Sequence, residues 1–98
     1  MFKIYKNKKT RHPSISLKQK DRSKWHNMPM THEKPKGDTS LTIDDPHPKA
    51  VAGDKSYVRR FVRKDNQKIK GHRYKEYVLS ETSEQTIKDY LKRKYKKR

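Results

Sequence analysis

The dipeptide Thr31–His32, in the stretch NMPMTHEKPKGD (27–38), places an imidazole and a hydroxyl where an apolar alternation stops and a charged, Pro- and Gly-bearing break begins. Histidine is the side chain best able both to take and to give a proton near neutral pH, so His32 is the residue most suited to proton transfer. Of the four other histidines, His12 follows a basic run and precedes Pro13, which would hold it fixed; His26, His47 and His72 have no such setting. Further along, Arg59, Arg60 and Arg63 interleave with Tyr57 and Phe61. Guanidinium groups beside aromatic rings suit both phosphate pairing and base stacking. Trp25 offers one more ring. The closing run Lys92, Arg93, Lys94, Tyr95, Lys96, Lys97, Arg98 can neutralise phosphates and release their counterions, and it equally suits the negative end of a helix dipole.

Other chemistries are excluded or outweighed. Asp44, Asp45 and His47 have the ligand types for a divalent cation, but Asp-Asp-Pro is a turn composition and no second cluster matches it. His32–Glu33 does not open a zinc-protease motif, because Pro35 forbids the helix that would bring a second ligand round. With three glycines in the chain there is no phosphate-binding loop, dinucleotide fingerprint or nucleophile elbow. No metal and no cofactor is expected.

Positioning such residues is the task of a small core. Of 98 residues 28% are hydrophobic and 40% charged, which leaves room for one domain and for no large apolar pocket. The 28 Lys and Arg against 11 Asp and Glu give a formal net charge of +17, and a chain so self-repelling calls for a polyanion. Nucleic acid is the default partner. The absence of cysteine excludes disulfides and thiolate metal sites and fits a cytoplasmic setting. No apolar run approaches the roughly 20 residues needed to cross a bilayer, so no membrane role is expected.

Along the chain, residues 1–13 read as a flexible basic arm and residues 14–98 as a single α+β domain. Alternation predicts strands at 14–17, 24–31, 39–43, 56–63 and 73–79. The second should lie at an edge or contain a bulge, since Pro29 cannot donate to a ladder. A helix follows, capped by Ser80 or by Thr82 with Gln85 at capping-box spacing, and presents Ile87, Tyr90, Leu91 and Tyr95 on one side. The fold class is thus a small, bent antiparallel sheet of four or five strands with a C-terminal amphipathic basic helix. Its expected core is Ile15, Leu17, Met28, Met30, Leu41, Ile43, Val58, Phe61, Val78, Ile87 and Leu91.

The order of short motifs, Arg11–His12–Pro13–Ser14–Ile15, Met28–Pro29–Met30–Thr31–His32, Leu41–Thr42–Ile43, Asp45–Pro46–His47–Pro48 and Lys55–Ser56–Tyr57–Val58, resembles small proteins of phages and mobile elements grouped with the RelE-like and PemK-like RNA endonucleases. The resemblance spans residues 11–91, with Asp45 standing where the family pattern has Asn. It implies a toxin-like, metal-independent RNA-cleaving activity. Cleavage of RNA by its own 2′-hydroxyl needs a proton acceptor, a proton donor and cations for the phosphate. His32, with His12, would serve as acid or base, Arg59 or Arg60 would stabilise the phosphate, Tyr57 or Thr31 would orient it, Trp25 and Tyr57 would stack on a base, and Arg59, Arg63 and the C-terminal cations would bind the strand. The alternative is a non-enzymatic accessory or inhibitor that binds nucleic acid, a ribosome or a nucleic-acid-processing enzyme; a ribosomal-protein-like RNA binder would share the charge but give His32 no role.

Overall fold

The computed structural model describes residues 2–18, 23–37 and 39–95. Its elements are β1 (Lys3–Asn7), β2 (Pro13–Ser16), β3 (Lys24–Thr31), β4 (Ser40–Asp44), β5 (Lys55–Arg59), β6 (Arg63–Asn66), a 3-10 turn at Gln67–Ile69, β7 (Lys70–Arg73) and α1 (Glu81–Tyr95). All strand pairings are antiparallel, in the order β4-β5-β3-β2-β1-β7, with β6 also paired to β3. The fold is α+β as the patterning predicts, with seven strands where four or five are expected.

The first additional strand corrects the reading of residues 1–13 as a flexible arm. β1 lies inside the sheet, with Ile4 opposite Ile15 on one side and Tyr5 opposite Arg73 on the other. Ile4 is fully buried in the core. The lysines disguise this segment, yet two buried residues of its five, Ile4 and Asn7, are enough to define the strand.

The apolar face of the sheet carries Ile4, Ile15, Met28, Met30, Leu41, Ile43 and Val58, and α1 closes it with Ile87. Leu17 and Leu91 pack at the margin. Two expected core residues are outside. The strand predicted over 56–63 ends at Arg59 and bends before β6, which leaves Phe61 37% exposed. The strand predicted over 73–79 is instead β7 at 70–73, followed by a turn in which Tyr77 N donates to Tyr74 O and Val78 N to Pro46 O. That shift puts Leu79 in the core and leaves Val78 65% exposed.

Pro29 lies in a central strand and not at an edge. Leu17 N donates to His26 O, so the even-numbered residues of β3 bond toward β2, and the N–H that Pro29 lacks would point to the other side. There β6 pairs with β3 only up to Asn27 and β5 begins at Met30. The proline therefore occupies the gap between two partners, where no ladder bond is lost.

The opposite face of β3 is buried too, with Trp25 1% and Asn27 0% exposed. Asp65 of β6 accepts from Asn27 Nδ2 at 3.0 Å and from Asn7 Nδ2 at 3.4 Å. In a flat sheet β6 and β1 would stand three strand spacings apart, about 14 Å. A single carboxylate touching both requires the sheet to curl around this polar cluster.

Ser80 caps α1: its Oγ accepts from Ser83 N at 3.1 Å, and Thr82 is not the cap. Gln85 instead donates to Asp89 one turn on. Ser80 Oγ also donates to Asp44 Oδ2, and Asp44 N donates to Ser83 Oγ, so the end of β4 and the start of the helix hold each other. Lys55 Nζ, 2.9 Å from Asp44 Oδ1, and then the Ser80 hydroxyl lower the Asp44 pKa below the ordinary carboxylate range. A depressed folded-state pKa contributes stability above the unfolded value of about 4 and loses it as the pH falls through the folded one. Thermal melts between pH 5 and about pH 2.5 should thus show a steeper acid-side loss for the native chain than for Asp44→Asn; parallel curves would remove Asp44 from the account.

Candidate nucleic-acid interface

Two of the residues singled out for proton transfer come together. β2 and β3 pair in a register that sets Ser14 opposite Pro29. Continued outward, it brings His12 to the level of Thr31. His12 and His32 line one small crevice with Pro13, Met30, Thr31, Asp45, Pro46, Ser56 and Tyr77. Its free volume of about 10 Å3 accommodates roughly one water, so a phosphate would sit at its mouth rather than inside.

Asp45, read as a turn residue from its sequence, is the acidic member of this group. Its Oδ1 accepts the His47 backbone N–H at 3.0 Å, and its Oδ2 lies 4.0 Å from His32 Nδ1. The carboxylate is nearly buried while the His32 ring is 60% exposed. Tyr77, read as part of a strand, closes the crevice. Burial, and then neighbouring Tyr74 and Asp45, raise the Tyr77 pKa above its ordinary value, so its hydroxyl keeps its proton through the neutral range.

Tyr57 and Arg60 do not join this group. Tyr57 stands opposite Thr31 and Thr42 on the outward face of the sheet. Arg60 lies by the helix, where its backbone O accepts from Tyr90 Oη at 2.6 Å and its N–H bonds Thr39 O. Arg60 lines a separate depression with Thr86, Asp89 and Arg93, which has no residue in common with the crevice. The phosphate-stabilising role expected for Arg60 therefore has no support in this geometry.

Two other predicted residues meet on the polar face. The bend after β5 exposes Phe61, and the Arg59 and Arg63 guanidinium carbons lie 5.7 and 5.9 Å from its ring centre. Arg59 Nε is buried and has no hydrogen-bond partner. Asn27 Oδ1, on the strand that pairs with Arg63, is in the same state. The amide cannot be turned over to relieve this, because Nδ2 faces three acceptors: Trp25 O, Arg63 O and Asp65 Oδ2. This face thus holds an exposed ring, two cations, and an unmet donor and acceptor.

Trp25 is not a stacking residue. It is 1% exposed, donates Nε1–H to Ser16 Oγ at 3.0 Å and meets the Tyr5 ring edge-on at 6.4 Å. At the helix end Lys92, Arg93 and Lys94 are exposed, with Lys94 Nζ 5.8 Å from the Tyr90 ring centre; Lys96, Lys97 and Arg98 lie outside the described residues. Among the described residues no three His, Asp or Glu side chains gather as metal ligands, and no helix is long and apolar enough to cross a membrane. Searches against family models, curated proteins and solved structures give no match to this chain.

Proposed function

We propose that the protein binds single-stranded RNA, with Arg59, Phe61 and Arg63 as its stacking and phosphate-pairing platform. The observation that carries this is the exposed Phe61 ring with two guanidinium groups within 6 Å of its centre, on a chain of net charge +17. Aromatic faces stack on any base and the flanking cations meet the backbone, which gives affinity without strong sequence preference. Unpaired bases are what such a platform accepts, and this favours RNA loops and single strands over duplex DNA. A cysteine-free basic chain of this kind suits the cytoplasm, in the company of the phage- and mobile-element-borne proteins whose motif order it shares.

The platform has a direct electrostatic test. For a single-stranded RNA oligonucleotide, each phosphate contact contributes about 0.7 to the slope of log affinity against log salt, so Arg59→Gln with Arg63→Gln should reduce that slope by about 1.4. Fluorescence anisotropy over a salt series measures it. A slope shared by the variant and the native protein would remove the platform from the interface.

A second reading, metal-independent cleavage, is favoured by the meeting of His12, His32 and Asp45. One imidazole takes the proton of the 2′-hydroxyl as its oxygen attacks phosphorus; the other gives a proton to the departing 5′-oxygen as that P–O bond breaks. The products are a 2′,3′-cyclic phosphate and a free 5′-hydroxyl. Asp45 holds the charge of the protonated His32, and the neutral Tyr77 hydroxyl is a hydrogen-bond donor beside the reacting phosphate.

A further inference from the structure

The loop joining β1 to β2 is built with unusual care for four surface residues. Asn7 N donates to His12 O, Arg11 N donates to Asn7 O at 2.7 Å, and the buried Asn7 side chain accepts both Lys9 N and Thr10 N through Oδ1. The turn ends with Arg11 at φ 66°, the left-handed region that glycine and asparagine occupy at least cost. An arginine in that conformation destabilises the turn, so its side chain has to be useful outside it.

Beside this loop β7 approaches β1 closely. A Cβ on Gly71 would stand 2.9 Å from the Lys6 carbonyl oxygen, and the register slips between Tyr5 and Asn7, a bulge that re-aims the following His72. The result is an open depression of about 310 Å3 lined by Lys6, Lys8, Arg11, Gly71 and His72, with no carboxylate on its walls. Among the described residues none of its three cations is in an ion pair. His72 meets Tyr74 edge-on at 4.9 Å, Tyr74 stacks on Tyr77 at 4.7 Å, and Tyr77 lines the crevice of His12 and His32. His12 is also the residue that follows Arg11.

We propose that Lys6, Lys8, Arg11 and His72 form a phosphate subsite that holds the RNA backbone alongside the His12–His32 crevice, with the Tyr74–Tyr77 stack between them. This rests on the RNA-binding reading. The subsite shares no residue with the Phe61 platform, so the two can be removed independently.

Arg11→Asn separates function from folding, because asparagine keeps the left-handed turn while removing the charge. Its melting temperature should equal or exceed that of the native protein. Its affinity for a single-stranded RNA oligonucleotide should fall about tenfold, and the salt slope should drop by about 0.7; Lys8→Gln should do the same at a residue whose backbone lies outside the left-handed region. Native binding with both variants unchanged would overturn the subsite and leave the platform standing. No binding by the native protein at low salt would overturn the RNA reading and the subsite with it.

Discussion

His32→Ala is expected to reduce cleavage of a single-stranded RNA by about 100-fold or more, with metal chelated throughout, while RNA affinity stays close to that of the native protein. The ring is exposed and makes no packing contact whose loss would unfold the chain, so a rate effect can be separated from a stability effect. Its neighbours sharpen the test. Asp45→Asn removes the charge beside His32 while keeping an oxygen to accept the His47 N–H, and it should lower the rate less than loss of the imidazole does. His12→Ala should resemble His32→Ala, because either imidazole alone leaves one of the two proton transfers without a partner. Denaturing gels of end-labelled RNA read the rate, and anisotropy reads the affinity. If the native protein produced no 2′,3′-cyclic phosphate ends under these conditions, the enzyme reading would fall and the non-enzymatic RNA binder would stand.

Trp25→Ala should lower stability by about 3–5 kcal/mol, since the ring is fully buried and its removal leaves a cavity that a rigid curled sheet cannot close. That is a large share of what a domain of this size possesses. Trp25→Phe keeps most of the packing and loses the bond to Ser16 Oγ, worth about 1 kcal/mol, which for a chain of this length is a fall of about 4–8 °C in Tm. The folded Phe variant should bind RNA as the native protein does. A large loss of affinity at unchanged Tm would return Trp25 to the interface.

What the sequence made legible follows from where its signals were strong. Lys24–Thr31 shows a full alternation and forms a strand with those bounds, and the helix is marked by its cap and by Ile87. β1 was hidden because its single buried isoleucine lies among lysines, whose charge dominates composition while their stems leave geometry free. The segment 56–63 contains no glycine or proline to announce the bend at Arg60, so Phe61 looked like core. At the site, His12 and His32 could be picked out by residue type, and their meeting depends on the β2–β3 register, which no local pattern encodes. Asp45 was legible as a turn former and, with Asp44 and His47, as a metal-ligand type, but not as a partner of His32. Its role beside His32 arises because the same turn, through the His47 N–H, aims one oxygen inward and leaves the other for the imidazole.

The position of β1 has a consequence for how the molecule assembles. In the sheet β1 is flanked by β2, which follows it directly in the chain, and by β7, which is made after four further strands. Phe2 N is then fixed by Glu84 Oε2 in the first turn of the final helix. Until residues 70–84 have emerged, one edge of β1 remains without its ladder, and such an edge pairs readily with other chains. The dense lysines of Lys3, Lys6, Lys8 and Lys9 repel a second copy during that interval. These charges thus keep the nascent chain from aggregating through the open edge of β1.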